Sequence, residues 1–208
     1  MNGDRFCRPF TNRFNLDGTR EFVARNGEFC VMIGLAIRGR ARLGVVAVPA
    51  LAGAPLLVGE VGHGAFRVDA SGARHALSVS TCDAPERSTI VVSRSRRSTF
   101  LDRVFAALGG PNELPCGSVG VKIAKLLLDP KADGYVHLAP PGDAGAGCRW
   151  DVCAPEAILI AAGGRFTDQH GVAIDYADVD LRNRRGLVAS NALLHDRLVA
   201  AAAPVVAR

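Results

Sequence analysis

From Leu43 to Gly59 the chain runs without a single charge, LGVVAVPALAGAPLLVG, and Pro49, Gly53 and Pro55 break the run. A stretch this apolar has to be buried. Its two prolines and internal glycine bar it from continuing as one helix, so it reads as strand, turn, strand and not as a membrane span. The neighbouring text extends the pattern. EFCVMIGLAI precedes it across RGRA, a tight connection, and PLLVGEVGHGAFRVD follows with a Gly-His-Gly turn before RHALSVS. β-branched runs separated by glycine turns predict an antiparallel meander from Glu28 to about Ser80.

After TCDAPERS the rhythm changes to strands alternating with helices. TIVVS is a short apolar strand. STFLDRVFAALGG predicts a helix with Ser98 as N-cap and Gly109 as terminator. SVGVKIAKLLLD places Val119, Ile123, Leu126 and Leu127 on one helical face. GYVHLAP is a strand, and CAPEAILIAAGG a helix with Pro155 in its first turn. RFTDQHGVAIDY reads as a hairpin, GLVAS as a strand and NALLHDRLVAAAAPVV as a closing helix. The expected fold class is α/β in the layered α+β sense, an antiparallel sheet domain over residues 1–86 followed by an α/β domain over residues 87–208. At 208 residues the chain is long enough for this much core.

Composition narrows the function classes. The chain is 49% hydrophobic and 22% charged, with a net charge of +5, a moderate basic excess that suits an anionic small substrate. Trp150, Tyr135, Tyr176 and nine Phe are the aromatics, and they form no basic, base-stacking strip, so no nucleic-acid partner is expected. Cys7, Cys30, Cys82, Cys116, Cys148 and Cys153 never form a C-x-x-C pair, and the five His lack ligand spacing, which argues against zinc. Scattered cysteines predict buried thiols in a reducing compartment. The charged opening MNGDRFCRPFTNRF is not a signal peptide, and no transmembrane segment is read, so the expected location is cytoplasmic, at most peripheral to the inner membrane.

Four short stretches carry chemistry. NLDGTREF sets Asp17 beside a Gly-Thr turn whose N–H groups can face an anion. WDVCAPEA sets Asp151 just before a helix, where a carboxylate also serves as an ordinary cap. PCGSVGVKIAK opens a helix at Gly117 and Ser118, an anion cradle, with Lys122 one turn in. VVSRSRRS ends a strand at Ser93 and Arg94, where α/β folds place ligands. Each alone has a structural explanation: a turn, a cap, a capped core helix with a solvated lysine, a basic loop.

Taken in order, LDGTREF, RNGEF, GVVAVP, SRSR, CGSVGVKIAK, YVHLAP, WDVCAPEAIL and NRRGLVASN resemble the inositol monophosphatase superfamily, and within it the bacterial 3'(2'),5'-bisphosphate nucleotidases. The resemblance runs from about Leu16 to the C-terminus and implies the family's αβαβα sandwich. It implies a Mg²⁺-dependent phosphomonoesterase that hydrolyses 3'-phosphoadenosine 5'-phosphate (PAP), a small phosphorylated nucleotide, with inositol or sugar phosphates as the alternative substrates. Residue by residue, it makes Asp17 and Asp151 metal ligands. Gly18 and Thr19 become the phosphate-holding turn, with the Thr19 hydroxyl orienting the attacking water. Ser93, Arg94, Gly117, Ser118, Lys122 and His137 become substrate contacts, and Arg182, Arg184 and Arg185 are basic enough to hold a 5'-phosphate.

The chain departs from that pattern at one place. The family writes Asp-Pro before the Leu of the motif, and here Phe14 and Asn15 stand there. The bridging aspartate is thus replaced, and the acidic segment that supplies a further glutamate is not found upstream. A truncated or rearranged copy, or a mis-assigned start, is expected, and the alternative to an active phosphatase is a catalytically impaired homologue that only binds nucleotide phosphate. Its sheet would expose an apolar face that favours a homo-oligomer.

Overall fold

The computed structural model describes residues 10–11, 15–139 and 147–206. Its first half is a seven-stranded sheet of β1 (Phe10–Thr11), β2 (Asn15–Asp17), β3 (Cys30–Ile37), β4 (Arg40–Ala47), β5 (Leu56–Glu60), β6 (Gly64–Val68) and β7 (Arg74–Leu77). Strands β3 to β7 pair antiparallel in chain order, which is the meander read from the β-branched runs. Both β1 and β2 pair with β3. The tight RGRA connection is the pair Arg38 and Gly39, with φ of 51° and 74°, the positive values that a two-residue hairpin needs to match strand twist.

The second half builds a mixed sheet from β8 (Thr89–Ser93), β9 (Asn112–Cys116), β10 (Gly134–His137), β11 (Arg165–Thr167) and β12 (Leu187–Ser190). The order is β11-β12-β10-β8-β9, with β9, β8 and β10 parallel and β12 and β11 antiparallel. Helices α2 (Leu101–Ala107), α3 (Val119–Leu127), α4 (Cys153–Ala161) and α5 (His195–Val206) complete it, and the five-residue α1 (Thr19–Val23) follows β2. This is an α/β fold, as expected. On α3, Ile123, Leu126 and Leu127 are buried and Val119 packs half-buried against the same core.

Helix α4 seats directly on the first sheet. A Cβ at Gly34 would lie 2.8 Å from the Ala154 nitrogen, at Gly44 2.1 Å from the Ala154 oxygen, and at Gly59 2.6 Å from Ile158 Cα. A row of glycines across β3, β4 and β5 therefore lets helix backbone touch strand backbone. The resulting core is continuous: Met32, Val46 and Leu57 of the first sheet share one cluster with Leu126, Tyr135, Leu159 and Leu187 of the second half.

Several local readings change. The segment NELPC has little β propensity, yet it forms β9, because the edge of the sheet beside β8 offers a ladder and an edge strand tolerates Pro115. RFTDQHGVAIDY is not a hairpin; β11 finds its partner in β12, and a turn closed by Asp168 and Val172 follows it. Ser98 does not cap α2. Its hydroxyl accepts the Phe100 N–H at 3.3 Å, and the helix begins at Leu101 with no side-chain cap. Gly109, at φ 82°, follows the helix end as read. Among the described cysteines Cys30, Cys116 and Cys153 are buried free thiols and Cys82 and Cys148 are partly exposed. The Phe14 substitution lies outside the described residues, and Asn15 pairs through its backbone with Met32 in β3.

Candidate active site

The two halves meet where β2 ends. Gly18 turns the chain at φ 89°, and a Cβ there would sit 2.7 Å from the Glu28 carbonyl oxygen and 3.1 Å from Ser118 Cβ, so only glycine fits between the two layers. That turn delivers Asp17 to the N-terminus of α3. Its Oδ2 accepts hydrogen bonds from the Ser118 hydroxyl at 2.6 Å, from the Val119 N–H, and from the Gly120 N–H at 3.3 Å. The free amides of a helix start favour an anion, and here the anion is a carboxylate of the protein. Among the described residues no hydrogen bond falls on Asp17 Oδ1.

Gly117 is occupied in a similar way. Its N–H donates to Glu28 Oε2 at 2.7 Å, while Arg94 holds the same carboxylate through Nε at 2.9 Å and Nη2 at 2.7 Å. Arg94 Nη2 also donates to the Pro115 carbonyl at 2.8 Å. The guanidinium keeps the Glu28 carboxyl below its ordinary range, with the Gly117 bond and nearby Lys122 adding to it against the opposing effect of burial.

Around Asp17 lies a cavity of about 380 Å³. Asp17, Gly18, Thr19, Ser93, Gly117, Ser118, Lys122, His137 and Asp151 all line it. Arg94 does not; its side chain points to Glu28 outside the cavity, and Arg96 lines the wall instead. The cradle expected at Gly117 and Ser118 is likewise taken up by Glu28 and Asp17. Arg182, Arg184 and Arg185 line a separate cavity of about 290 Å³, where Arg184 pairs with Asp180 at 2.5 Å.

Asp151 closes a single 3-10 turn, Arg149–Asp151, just before α4. It does not cap that helix: Val152 occupies the N-cap position without a side-chain bond, and Asp151 Oδ2 accepts the Cys148 N–H at 3.0 Å. The residue also lines the cavity around Asp17. Lys122 is 4% exposed, with Nζ 5.5 Å from the centre of the Tyr135 ring, and burial draws its pKa down against the pull of Asp17 and other acids. Glu21, within the REF that follows the Gly-Thr turn, is a wall residue that sequence reasoning missed. It is buried beneath Gly117, where a Cβ would meet its Cγ at 2.2 Å.

Asp17, Glu21 and Asp151 balance Arg20, Arg96 and Lys122 among the lining residues. A cavity without net charge gains attraction for a phosphate only if a cation joins it. Among the described residues no three His, Cys, Asp or Glu converge at metal-holding distance. Two carboxylates lining one cavity nonetheless suit a hard divalent cation such as Mg²⁺, which is commonly bound through one or two carboxylates with waters and substrate phosphate.

Known proteins share this sequence and fold. The model of the inositol monophosphatase family matches residues 16–207. The 3'(2'),5'-bisphosphate nucleotidase 1 of Rattus norvegicus is 32% identical over 182 residues, 84% of this chain and 55% of that protein. The 3'(2'),5'-bisphosphate nucleotidase CysQ of Salmonella typhimurium is 34% identical over 161 residues, 77% of this chain and 59% of its own length. The chain thus spans a little over half the length of the curated relatives it matches. Among solved structures, inositol monophosphatase from Anabaena (Nostoc) superposes with a TM-score of 0.74 at 26% identity, covering 97% of this chain and 74% of that one. CysQ from Bacteroides thetaiotaomicron gives 0.66 at 27% identity, over 85% and 68%. The family model's match over residues 16–207, with relatives about a third identical and a fold shared over nearly the whole chain, places this protein in the inositol monophosphatase family.

Proposed function

We propose that the chain is a Mg²⁺-dependent phosphomonoesterase of the bisphosphate nucleotidase type, acting on a small phosphorylated nucleotide such as PAP. The observation that carries the reading is the meeting of Asp17, Thr19 and Asp151 in one cavity beside a buried lysine. Asp17 and Asp151 would hold the metal, which when bound supplies charge to the phosphate and lowers the pKa of a water. The Gly18–Thr19 turn holds the phosphate. The Thr19 hydroxyl orients the attacking water towards phosphorus, opposite the leaving oxygen. Lys122 and Arg96 offset the anionic charge of the substrate, while His137 and Tyr135 form the wall beside the leaving nucleoside.

The curated relatives favour a nucleotide over an inositol phosphate, since both named above are bisphosphate nucleotidases. Phe14 in place of the motif's first aspartate favours a second reading, a chain that binds nucleotide phosphate with little turnover. Losing one preorganised electrostatic contact commonly lowers a rate by about 10²–10³.

The test is phosphate release from PAP and from inositol 1-phosphate, with Mg²⁺ and with EDTA, by the chain and by Asp151→Asn. Release from PAP that needs Mg²⁺ and is absent in the variant is the expected result. Faster release from inositol 1-phosphate moves the assignment to that substrate. A folded chain that binds PAP in EDTA and releases nothing supports the second reading and removes the first.

A further inference from the structure

A cavity of about 550 Å³ lies apart from the candidate active site and is larger than it. Its walls are the loop 51–55, the sheet edge at Arg67 and 75–78, and the end of α3 with the loop after it, 125–131. Ser118 and the cavity lie at opposite ends of α3, about 13 Å of helix apart, and the two cavities share no residue. Cross-strand register explains how charge comes to line it. Val46 pairs with Leu57, Leu57 with Arg67, and Arg67 with His75. Residues directly opposite share a face, so this row leaves the core through buried Val46 and Leu57 and ends on an arginine and a histidine. Asp69 engages His75 at 2.8 Å. The facing wall brings Lys125, in the last turn of α3, and Lys131, which donates to Ser78 Oγ at 3.4 Å. Among the described residues the Arg67 and Lys125 side chains have no hydrogen bond or ion pair, and Asp129 is the one acid in the lining. Between the cations the floor is aliphatic: Leu51, Leu77 and Leu128 pack half-buried against the core, and Pro55 and Leu127 are buried.

We propose that this cavity binds a small aliphatic organic acid, a single carboxylate on an apolar chain. Arg67, Lys125 and Lys131 against Asp129 leave an excess of positive charge, which selects an anion. Arg67 can take both oxygens of a carboxylate, and the lysines add charge without fixing geometry. The leucine and proline floor selects an apolar body, as in most small-molecule sites of this volume, and gives a bare inorganic ion nothing to cover. No Phe, Tyr or Trp lines the cavity, so it offers no ring on which a nucleobase could stack. An inward charge near a sheet edge also discourages strand pairing, which accounts for Arg67 alone and not for two lysines on the facing wall. The assignment is independent of the phosphatase reading, because none of its residues lines the cavity around Asp17.

The test is titration of the full chain at pH 7 with octanoate, 1-octanol and acetate, followed by backbone amide NMR shifts. Octanoate is expected to shift the amides of Leu77, Ser78, Leu128 and Lys131 along one saturable curve. Octanol, which lacks the charge, and acetate, which lacks the chain, should each bind at least about tenfold more weakly, the worth of one charge-assisted hydrogen bond or a few buried methylenes. Arg67→Gln combined with Lys125→Gln should weaken octanoate by about tenfold or more, while Arg87→Gln, an exposed arginine elsewhere, leaves its affinity unchanged. Should the double variant fail to fold, the comparison of the three ligands on the unsubstituted chain decides alone. Octanol binding as tightly as octanoate overturns the proposal, since the cavity is then only an apolar crevice. Acetate binding as tightly overturns it as well, leaving an ion site without a chain. So do octanoate shifts that fall around Asp17 instead, or none at these amides up to about 10 mM, the affinity that ordinary efficiency gives a ligand of about ten heavy atoms.

Discussion

Ser118 Oγ donates to Asp17 Oδ2 at 2.6 Å across 101 residues of chain, and the bond ties the first sheet to the start of α3. The same hydroxyl oxygen accepts the Val121 N–H at 3.4 Å as the helix N-cap. One side chain therefore caps a helix and fixes the carboxylate proposed to bind metal. Asp17 takes part in a fold contact and a site contact at once, so stability and function are linked at this point.

Ser118→Ala removes both bonds and leaves the backbone donors of α3. The expected cost is about 1–2 kcal/mol, measured as a fall in the urea midpoint. Because Asp17 is then held only by Val119 and Gly120, the Mg²⁺ concentration for half-maximal activity should rise. An unchanged midpoint would mean that the amides alone position the carboxylate.

Glu28 and Arg94 predict an acid-sensitive junction. The Arg94 side chain is 48% exposed, so solvent screens the pair and Arg94→Ala should cost under about 1 kcal/mol. Glu28→Ala should cost more, because it strands the Gly117 N–H as well as Arg94. The folded carboxyl lies below its ordinary 4.5. Its contribution is therefore complete above about pH 4.5 and is lost as pH falls through the lower folded value. Urea titrations of wild type and Glu28→Gln at pH 7 and at pH 3.5 should differ by less at the lower pH.

Glu156 behaves in the opposite sense. Burial pushes its carboxyl up to about 8, although Tyr176 donates a hydrogen bond that opposes the rise. A raised carboxylate pKa means that the folded chain keeps a proton the unfolded chain releases above about 4.5. Stability from this group is greatest at or below that pH and declines as pH climbs to about 8. Glu156→Gln keeps an acceptor for Tyr176 without the ionisation. Its stability relative to wild type should improve between pH 5 and pH 9, and a constant difference over that range would contradict the raised value.

The meander, the alternation that follows it and the acidic motifs were legible because each is written in local text: β-branched runs, glycine turns, an Asp-Gly-Thr step. What was not legible lies between distant segments. Nothing near Glu28 announces that Arg94 will reach it, and a reading confined to VVSRSRRS assigns that arginine to a ligand. Likewise the helix start at Ser118 reads as an empty anion cradle until the fold brings Asp17 to it. Asn112–Cys116 escaped notice for a related reason, since its pairing comes from the open edge of β8 and not from its own composition.

Gly44 links the fold to the site most severely. It has no need of a positive φ; its constraint is contact, with the Ala154 carbonyl oxygen 2.1 Å from where a Cβ would stand. Backbone cannot rotate away as a side-chain tip can. Gly44→Ala must therefore lift α4 from the sheet or shift β4, at a cost of about 1–3 kcal/mol or more. Asp151 sits two residues before α4, and its carboxylate is placed by the turn leading into that helix. Moving α4 displaces Asp151 relative to Asp17 in the same cavity. The expected variant is folded at low temperature, with a lowered thermal midpoint and activity reduced beyond its folded fraction, which calorimetry and phosphate release at the same temperature would separate. Activity that tracks the folded fraction alone would show that the 3-10 turn holds Asp151 in place without help from the helix behind it.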